Sequence, residues 1–311
     1  MKKLFLVGSI AVLAGCGSSG GGSGGGGGAG GGSGIPTVAF TSWSDLRPNS
    51  EIVAPAISTE LAYTENDFGT VTSTGPLESY AGVEFRETFG PDGTVTKASV
   101  TTGDGDRLVF DSAQGASFAP IANGTATAAL SADQSEIAIA VEPLVQGWNY
   151  QTFGVWQRSP AETRVGRAGA ISTGNFTAAN NVPSIGTATF TGAAAGIYQP
   201  ADGSASGLVS AQMALAVDFS DRVAGFATAG SAISFDGGQT FSASPALDLT
   251  GSLQVANNQN AMAGTVRTQS PRMSGDINGK FYGPNAQEVG GTFGLKGSGV
   301  ETYIGGFGGK R

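Results

Sequence analysis

The stretch 275–294, GDINGKFYGPNAQEVGGTFG, decides the fold. In an extended chain Ile277, Gly279, Phe281 and Gly283 share one face, while Asp276, Asn278, Lys280 and Tyr282 share the other. Glycine at alternate strand positions marks bulges or close backbone approach. A small barrel needs both where its wall bends. Gly283-Pro284 then breaks the strand, because proline has no amide to donate. Residues 284–288 are predicted to form one helical turn with Pro284 at its first position. Gly290-Gly291 returns the chain to a strand, Thr292 to Leu295.

Working outward, the second half of the chain repeats this short-strand pattern. Thr187, Thr189 and Thr191 alternate with Ala188 and Phe190. Met213, Leu215, Val217 and Phe219 oppose Gln212, Ala214, Ala216 and Asp218. Ser220-Asp221-Arg222 and Asp236-Gly237-Gly238 read as turns. Leu247, Leu249, Leu253 and Val255 continue the alternation, and 301–307 form the last strand. About eight strands result, a number that closes into a barrel filled by its own side chains. Small residues dominate and Phe supplies the bulk, as tight curvature requires.

Residues 35–158 are predicted to form a smaller β-rich domain, with the barrel domain over 159–311. In the first of these, 82–89 alternates with Val83, Phe85 and Phe89 inward. Gly90-Pro91-Asp92-Gly93 turns the chain into a strand at 94–100, and Gly103-Asp104-Gly105-Asp106 turns it into 107–110. Ile137, Ile139 and Val141 alternate with alanines, and Asn149 to Trp156 is a further strand. Residues 159–184, rich in Gly, Ala and Asn, hold the junction or a loop reaching across one barrel mouth.

The N-terminus reads as an export signal. Lys2-Lys3 and the apolar run Leu4 to Leu13 form a signal peptide over 1–15, too short to span a bilayer. Leu13-Ala14-Gly15-Cys16 matches the bacterial lipobox, so Cys16 is the expected lipidation site and its acyl chains the expected membrane anchor. Gly17-Ser18 follow without an aspartate, which favours the outer membrane. Residues 17–34 hold 13 Gly, 4 Ser and 1 Ala, a flexible linker with a mean span of roughly 20–25 Å.

Composition excludes several function classes. The chain of 311 residues has one Cys and no His. No disulfide is possible, and Ser-His-Asp catalysis, the usual zinc sites and histidine-ligated haem are ruled out. Removal of the signal peptide leaves 14 basic against 24 acidic residues. That acidic balance disfavours nucleic acid. No catalytic residue, metal site or cofactor is expected, and the chain reads as a non-enzyme.

Several constellations have two readings. Asp104, Asp106 and Asp111 lie near glycines but lack the EF-hand spacing, so a hairpin turn is favoured over a calcium loop. Trp43, Trp148 and Trp156 are core residues or ligand platforms, with Trp156 read as core and Trp148 left open. Tyr63, Tyr80, Tyr150, Tyr198, Tyr282 and Tyr303 are the residues that can offer a phenolate to iron or haem.

The run Gly279, Phe281-Tyr282-Gly283-Pro284, Ala286, Glu288, Gly290-Gly291, Phe293 closely resembles the β-barrel domain of transferrin-binding protein B and related bacterial surface lipoproteins. The resemblance extends to 188–192, 215–220 and 304–311, and so spans 187–311. It implies an eight-stranded antiparallel barrel preceded by a handle domain, whose last strand Phe153-Gly154-Val155-Trp156 resembles. Within the shared run Glu288 is expected to hold the Pro284 turn against neighbouring backbone amides. By the same resemblance the chain is a cell-surface binding module for an external protein or iron carrier. It implies a dedicated surface-lipoprotein translocator, and a TonB-dependent receptor is a possible partner. The alternatives are a haem or ferric-chelate carrier and a structural envelope lipoprotein.

Overall fold

The computed structural model describes residues 35–159, 163–270 and 272–311. The signal peptide, Cys16 and the glycine linker lie outside the described residues. Among the described residues twenty strands make two antiparallel sheets, with one parallel pairing at the start.

The first sheet contains β1 (Thr37–Ala39), β2 (Glu51–Glu65), β3 (Val71–Thr74), β4 (Glu78–Phe89), β5 (Val95–Thr101), β6 (Arg107–Asp111), β7 (Ser117–Ile121), β8 (Ala126–Leu130), β9 (Glu136–Val141), β10 (Gln151–Arg158) and β11 (Val165–Gly174). Its path is β6-β5-β4-β2-β11-β10-β9-β8-β7, with β1 and β3 also on β2. Its eleven strands outnumber the nine of the second sheet. The sheet rolls around its own core of Ala56, Val83, Leu108, Phe110, Trp156 and Ile171, with the Phe40–Trp43 pair in a second cluster beside Ile52 and Phe89.

Strand β2 carries this sheet although it contains Pro55. On one side it pairs with β4 along Glu51 to Glu60. On the other, β1 pairs with Glu51 to Val53 and β11 with Ala56 to Thr64. Pro55 falls between those two ladders, where no amide is needed. Opposite it, Gly82 (φ 87°) is the extra residue of a bulge between Ala56/Val83 and Ile57/Ala81, a conformation that favours glycine.

The second sheet contains β12 (Thr187–Gln199), β13 (Gly207–Asp218), β14 (Val223–Ser234), β15 (Ser242–Ala243), β16 (Leu249–Val255), β17 (Met262–Thr268), β18 (Ser274–Tyr282), β19 (Glu288–Lys296) and β20 (Thr302–Lys310). Its path is β13-β12-β20-β19-β18-β17-β16-β14, with β15 on β14. The additional β13–β14 ladder closes eight of these strands into a ring. The expected eight-stranded antiparallel barrel is therefore present. Phe190, Leu215, Phe226, Leu253, Ile277, Phe281, Phe293 and Phe307 fill it, as close packing in a narrow barrel demands. Gly279 leaves the room that Met262 and Phe307 occupy. A bulge at Gly230 (φ 68°) bends β14, and the Asp248 carboxylate accepts the Ser231 N–H at 2.8 Å beside it.

Two local expectations are corrected. The reversal after β18 is a turn, not a helix: Gly283 (φ 82°) and Ala286 (φ 56°) are both left-handed. Gln287 closes it by accepting the Asn285 N–H at 2.8 Å. The boundary between residues 158 and 159 cuts through the first sheet, because β11 pairs with both β10 and β2. Its sequence, VGRAGAISTG, is rich in small residues because both its faces are covered.

Candidate functional site

The outer face of the barrel at β18–β20 is not open to water. Strands β19 and β20 are buried at nearly every position, because β2, β10 and β11 pack across them. Glycines permit the approach: a Cβ at Gly308 would stand 2.4 Å from the Gln151 amide, and one at Gly306 2.7 Å from the Phe153 ring. Tyr282, on the face opposite Phe281, is fully buried and shares a 2.7 Å hydrogen bond with Ser172. Thr59 and Thr292 meet at 2.8 Å.

Glu288 is the electrostatic centre of this contact. The Asn149 N–H donates to its Oε1 at 2.6 Å and the Tyr150 N–H to its Oε2 at 2.9 Å. Burial raises its pKa, while these amides oppose the rise. Glu288 does bind backbone amides, as expected. They belong to the entry of β10, not to the Pro284 turn, because the first residue of β19 points its side chain at the first sheet.

Next to this contact the two sheets diverge and leave an open groove of about 250 Å³. Ile139, Val155, Ala193, Leu208 and Phe241 give it apolar walls, and Thr125, Gln146, Ser210 and Gln212 add polar groups, with no charged residue in the lining. Sequence reasoning missed it, since it forms between strands far apart in the chain.

Among the described residues the most exposed large apolar side chain is Phe68, 88% accessible at the tip between β2 and β3. Its turn is rigid. The Phe68 and Thr70 amides donate to Asn66 Oδ1 at 2.9 and 3.0 Å, and the Gly69 N–H (φ 78°) donates to the Asn66 carbonyl at 3.0 Å. The barrel braces the hairpin from behind, where the Val71 N–H donates to the Gly203 carbonyl at 2.9 Å. Arg164 pairs with Asp67 alongside it. An aromatic held out on a braced turn loses little entropy when a partner covers it. Sequence reasoning passed over Phe68; the Asn-Asp-Phe-Gly turn signature at 66–69 was the available signal.

The sequence candidates do not assemble into a reactive centre. Asp104 pairs with Arg167, Asp106 with Arg158 and Asp111 with Lys97, so the three aspartates serve turns and ion pairs. Among the described residues no group of three or more His, Cys, Asp or Glu side chains converges as a metal site would require. Trp43, Trp148 and Trp156 are all buried, which settles Trp148 as core. Burial pushes Tyr63 up to about 12, and the Tyr198 phenol likewise to about 12. Tyr282 and Tyr303 rise further for the same reason. A hydrogen bond to Glu78 raises Tyr80. These five phenols move away from the phenolate that iron ligation requires.

Glu60 is a fully buried carboxylate that accepts from Ser58 Oγ at 2.7 Å, the Gly103 N–H at 2.9 Å and Arg167 at 3.0 Å. Glu87 lies between Phe85 and Phe89 on one face of β4 and is partly covered. Burial, with the like charge of Glu142, pushes it up to about 8. Its folded pKa is raised, so stability from this group is full at low pH and is lost as pH rises from about 4.5 to about 8. Glu87→Gln is expected to flatten that dependence and to stabilise the protein at pH 8 by on the order of 2 kcal/mol. Urea melts of both proteins at pH 5 and pH 8.5 test this; parallel losses of stability would refute it.

The described residues thus form an all-β scaffold whose polar clusters serve turns and packing, with apolar side chains such as Phe68 held out on loops. A family profile described as the C-lobe and N-lobe β-barrels of Tf-binding protein B matches residues 182–311. That part of the chain is similar to this barrel family. Similar solved structures include a transferrin-binding protein B of Haemophilus parasuis, 16% identical over 76% of this chain and 46% of that one, with a TM-score of 0.43. Another is the isotype 1 protein of serogroup B Neisseria meningitidis, 12% identical over 89% of this chain and 78% of that one, TM-score 0.38. A third is described as a surface lipoprotein, 10% identical over 82% of this chain and 98% of that one, TM-score 0.44. The chain spans about half the length of the Haemophilus parasuis structure. No curated protein sequence matches it.

Proposed function

We propose that this chain is a non-enzymatic binding lipoprotein, anchored in the outer membrane through Cys16 and displayed at the cell surface. It presents loops to an external protein of the iron-carrier class. The barrel and the first sheet are its two domains, with the junction after β11. The observation that carries the reading is the braced, exposed Phe68. It supplies the rigid aromatic anchor that a protein partner buries in a pocket of its own. The transferrin-binding family of the barrel supports the partner class. Delivery by a surface-lipoprotein translocator, and action beside a TonB-dependent receptor, belong to the same reading.

The test is binding of iron-loaded and iron-free transferrin and lactoferrin to the immobilised mature chain, by surface plasmon resonance. Phe68→Ala is expected to weaken the bound complex at least tenfold, a loss of about 1.4 kcal/mol, with an unchanged melting temperature. Equal binding by the variant would remove Phe68 as the anchor. Absence of binding to every iron carrier would remove the partner class. Protease shaving of intact cells tests display separately, and full protection until lysis would refute it.

A further inference from the structure

Gln157 Oε1 and Ser206 Oγ are buried oxygens with no hydrogen-bond partner among the described residues. Gln157 belongs to β10 and is 7% exposed; Ser206 precedes β13 and is 5% exposed. The two residues come from different sheets, yet both line one cavity of about 20 Å³. A buried oxygen without a partner forfeits its hydration for nothing in return, and native structures seldom leave even one.

The cavity lies where the sheets meet. The first sheet supplies Leu61, Tyr63 and Ala168, and the barrel supplies Ile197 and Ile304. Gln199 and Thr302, paired across β12 and β20, are buried and also line it. Apolar surface and four polar residues thus share one small space.

Neither orphan oxygen has an obvious way out. Gln157 Nε2 donates to the Tyr63 hydroxyl at 2.7 Å, so the amide is pinned to the first sheet and its oxygen is left to accept. Exchanging the two amide atoms would only leave an unpartnered N–H in place of the oxygen. Beside Ser206, Gln199 Nε2 already donates to the Ser204 carbonyl at 2.7 Å.

The volume selects the guest. A water molecule needs about 10–15 Å³ of such space and two to four polar partners. An apolar cavity that takes benzene measures about 150 Å³, so an organic ligand does not fit here. No charged residue among those described lines the site, so nothing offsets the charge of a buried cation.

We propose that one water molecule is bound here as a fixed part of the fold, donating to Gln157 Oε1 and hydrogen-bonded to Ser206 Oγ, so that it ties β10 to the barrel. Val71 lines the same cavity, and its N–H is the group held by the Gly203 carbonyl. The water therefore sits behind the β2–β3 hairpin that carries Phe68, and its hydrogen bonds add to the brace on that hairpin. The site stands whether or not the hairpin meets an iron carrier.

Ser206→Ala in the full mature chain tests this, because the two possibilities have opposite signs. Ser206 Oγ has no protein hydrogen bond for alanine to remove. With the water in place, alanine deletes one of its anchors, and the unfolding equilibrium constant should rise about fivefold. Without it, alanine removes an unpaired buried hydroxyl, and the variant should match or exceed the parent in stability. Urea melts of the two proteins read the difference, and an unchanged or lowered unfolding constant would overturn the proposal. In a crystal structure that shows ordered solvent, density for a water is expected within about 3.2 Å of both oxygens. An empty site with both side chains in place, or a direct hydrogen bond between Gln157 and Ser206, would equally refute it.

Discussion

Glu288→Ala is expected to lower the unfolding free energy by about 3 kcal/mol, because it removes a buried acceptor from two partly buried backbone amides at once. The Asn149 and Tyr150 N–H groups meet both oxygens of this carboxylate at 2.6 and 2.9 Å, and the Glu288 side chain itself is buried. For a protein of this size such a loss lowers Tm by about 6–12 °C. Glu288→Gln keeps one acceptor oxygen and should recover part of the loss. The damage should localise, with amide exchange accelerating at the start of β10 and in β19 before the barrel interior. A Tm within 1 °C of the parent protein would show that the amides find other partners and that the sheets are held by apolar contact alone.

Gly308→Val should be of similar size for a steric reason. The added Cβ would lie 2.4 Å from the Gln151 amide nitrogen and 2.7 Å from its oxygen. Gln151 is fully buried between the sheets, so it has no outward rotamer to take. The sheets must separate locally, at a cost of about 3 kcal/mol. Gly225→Val is the matched control. It is also a strand glycine, but a Cβ there meets nothing within 4 Å, and β-branched residues suit a strand. Thermal melts of the pair should show a large drop for Gly308→Val and little change for Gly225→Val. Equal drops would mean that the cost is one of strand propensity and not of approach between sheets.

The two variants probe the part of the structure that the sequence concealed. Barrel strands were legible where one face met the core and the other met water, as in Met213 to Phe219. That rule fails where a second sheet covers the outside. In β11 and β20 both faces are buried, and the residues there are small so that two backbones can approach. Such strands show no alternation, which is why β11 read as a junction. Strand β2 was hidden by Pro55, whose position opposite a gap between two ladders is a property of the assembled sheet. The helical turn expected at Pro284 followed from the preference of proline for a first helical position. Left-handed Ala286 overrides that preference, because the turn must return the chain to a neighbouring strand. Glu288 was correctly read as an acceptor of amides, but only the three-dimensional contact shows whose amides they are. Phe68 escaped for a simpler reason: a hydrophobic residue in a turn breaks no periodic pattern.

The ladder between β12 and β20, in which Thr191 pairs with Lys310 and Gln199 with Thr302, sets the order of events in biogenesis. The ring cannot be sealed until its most C-terminal strand has been synthesised, and the first sheet has no finished wall to dock against before then. Such distant pairings are slow to form. During translation the nascent chain is thus kept from premature closure by its own topology.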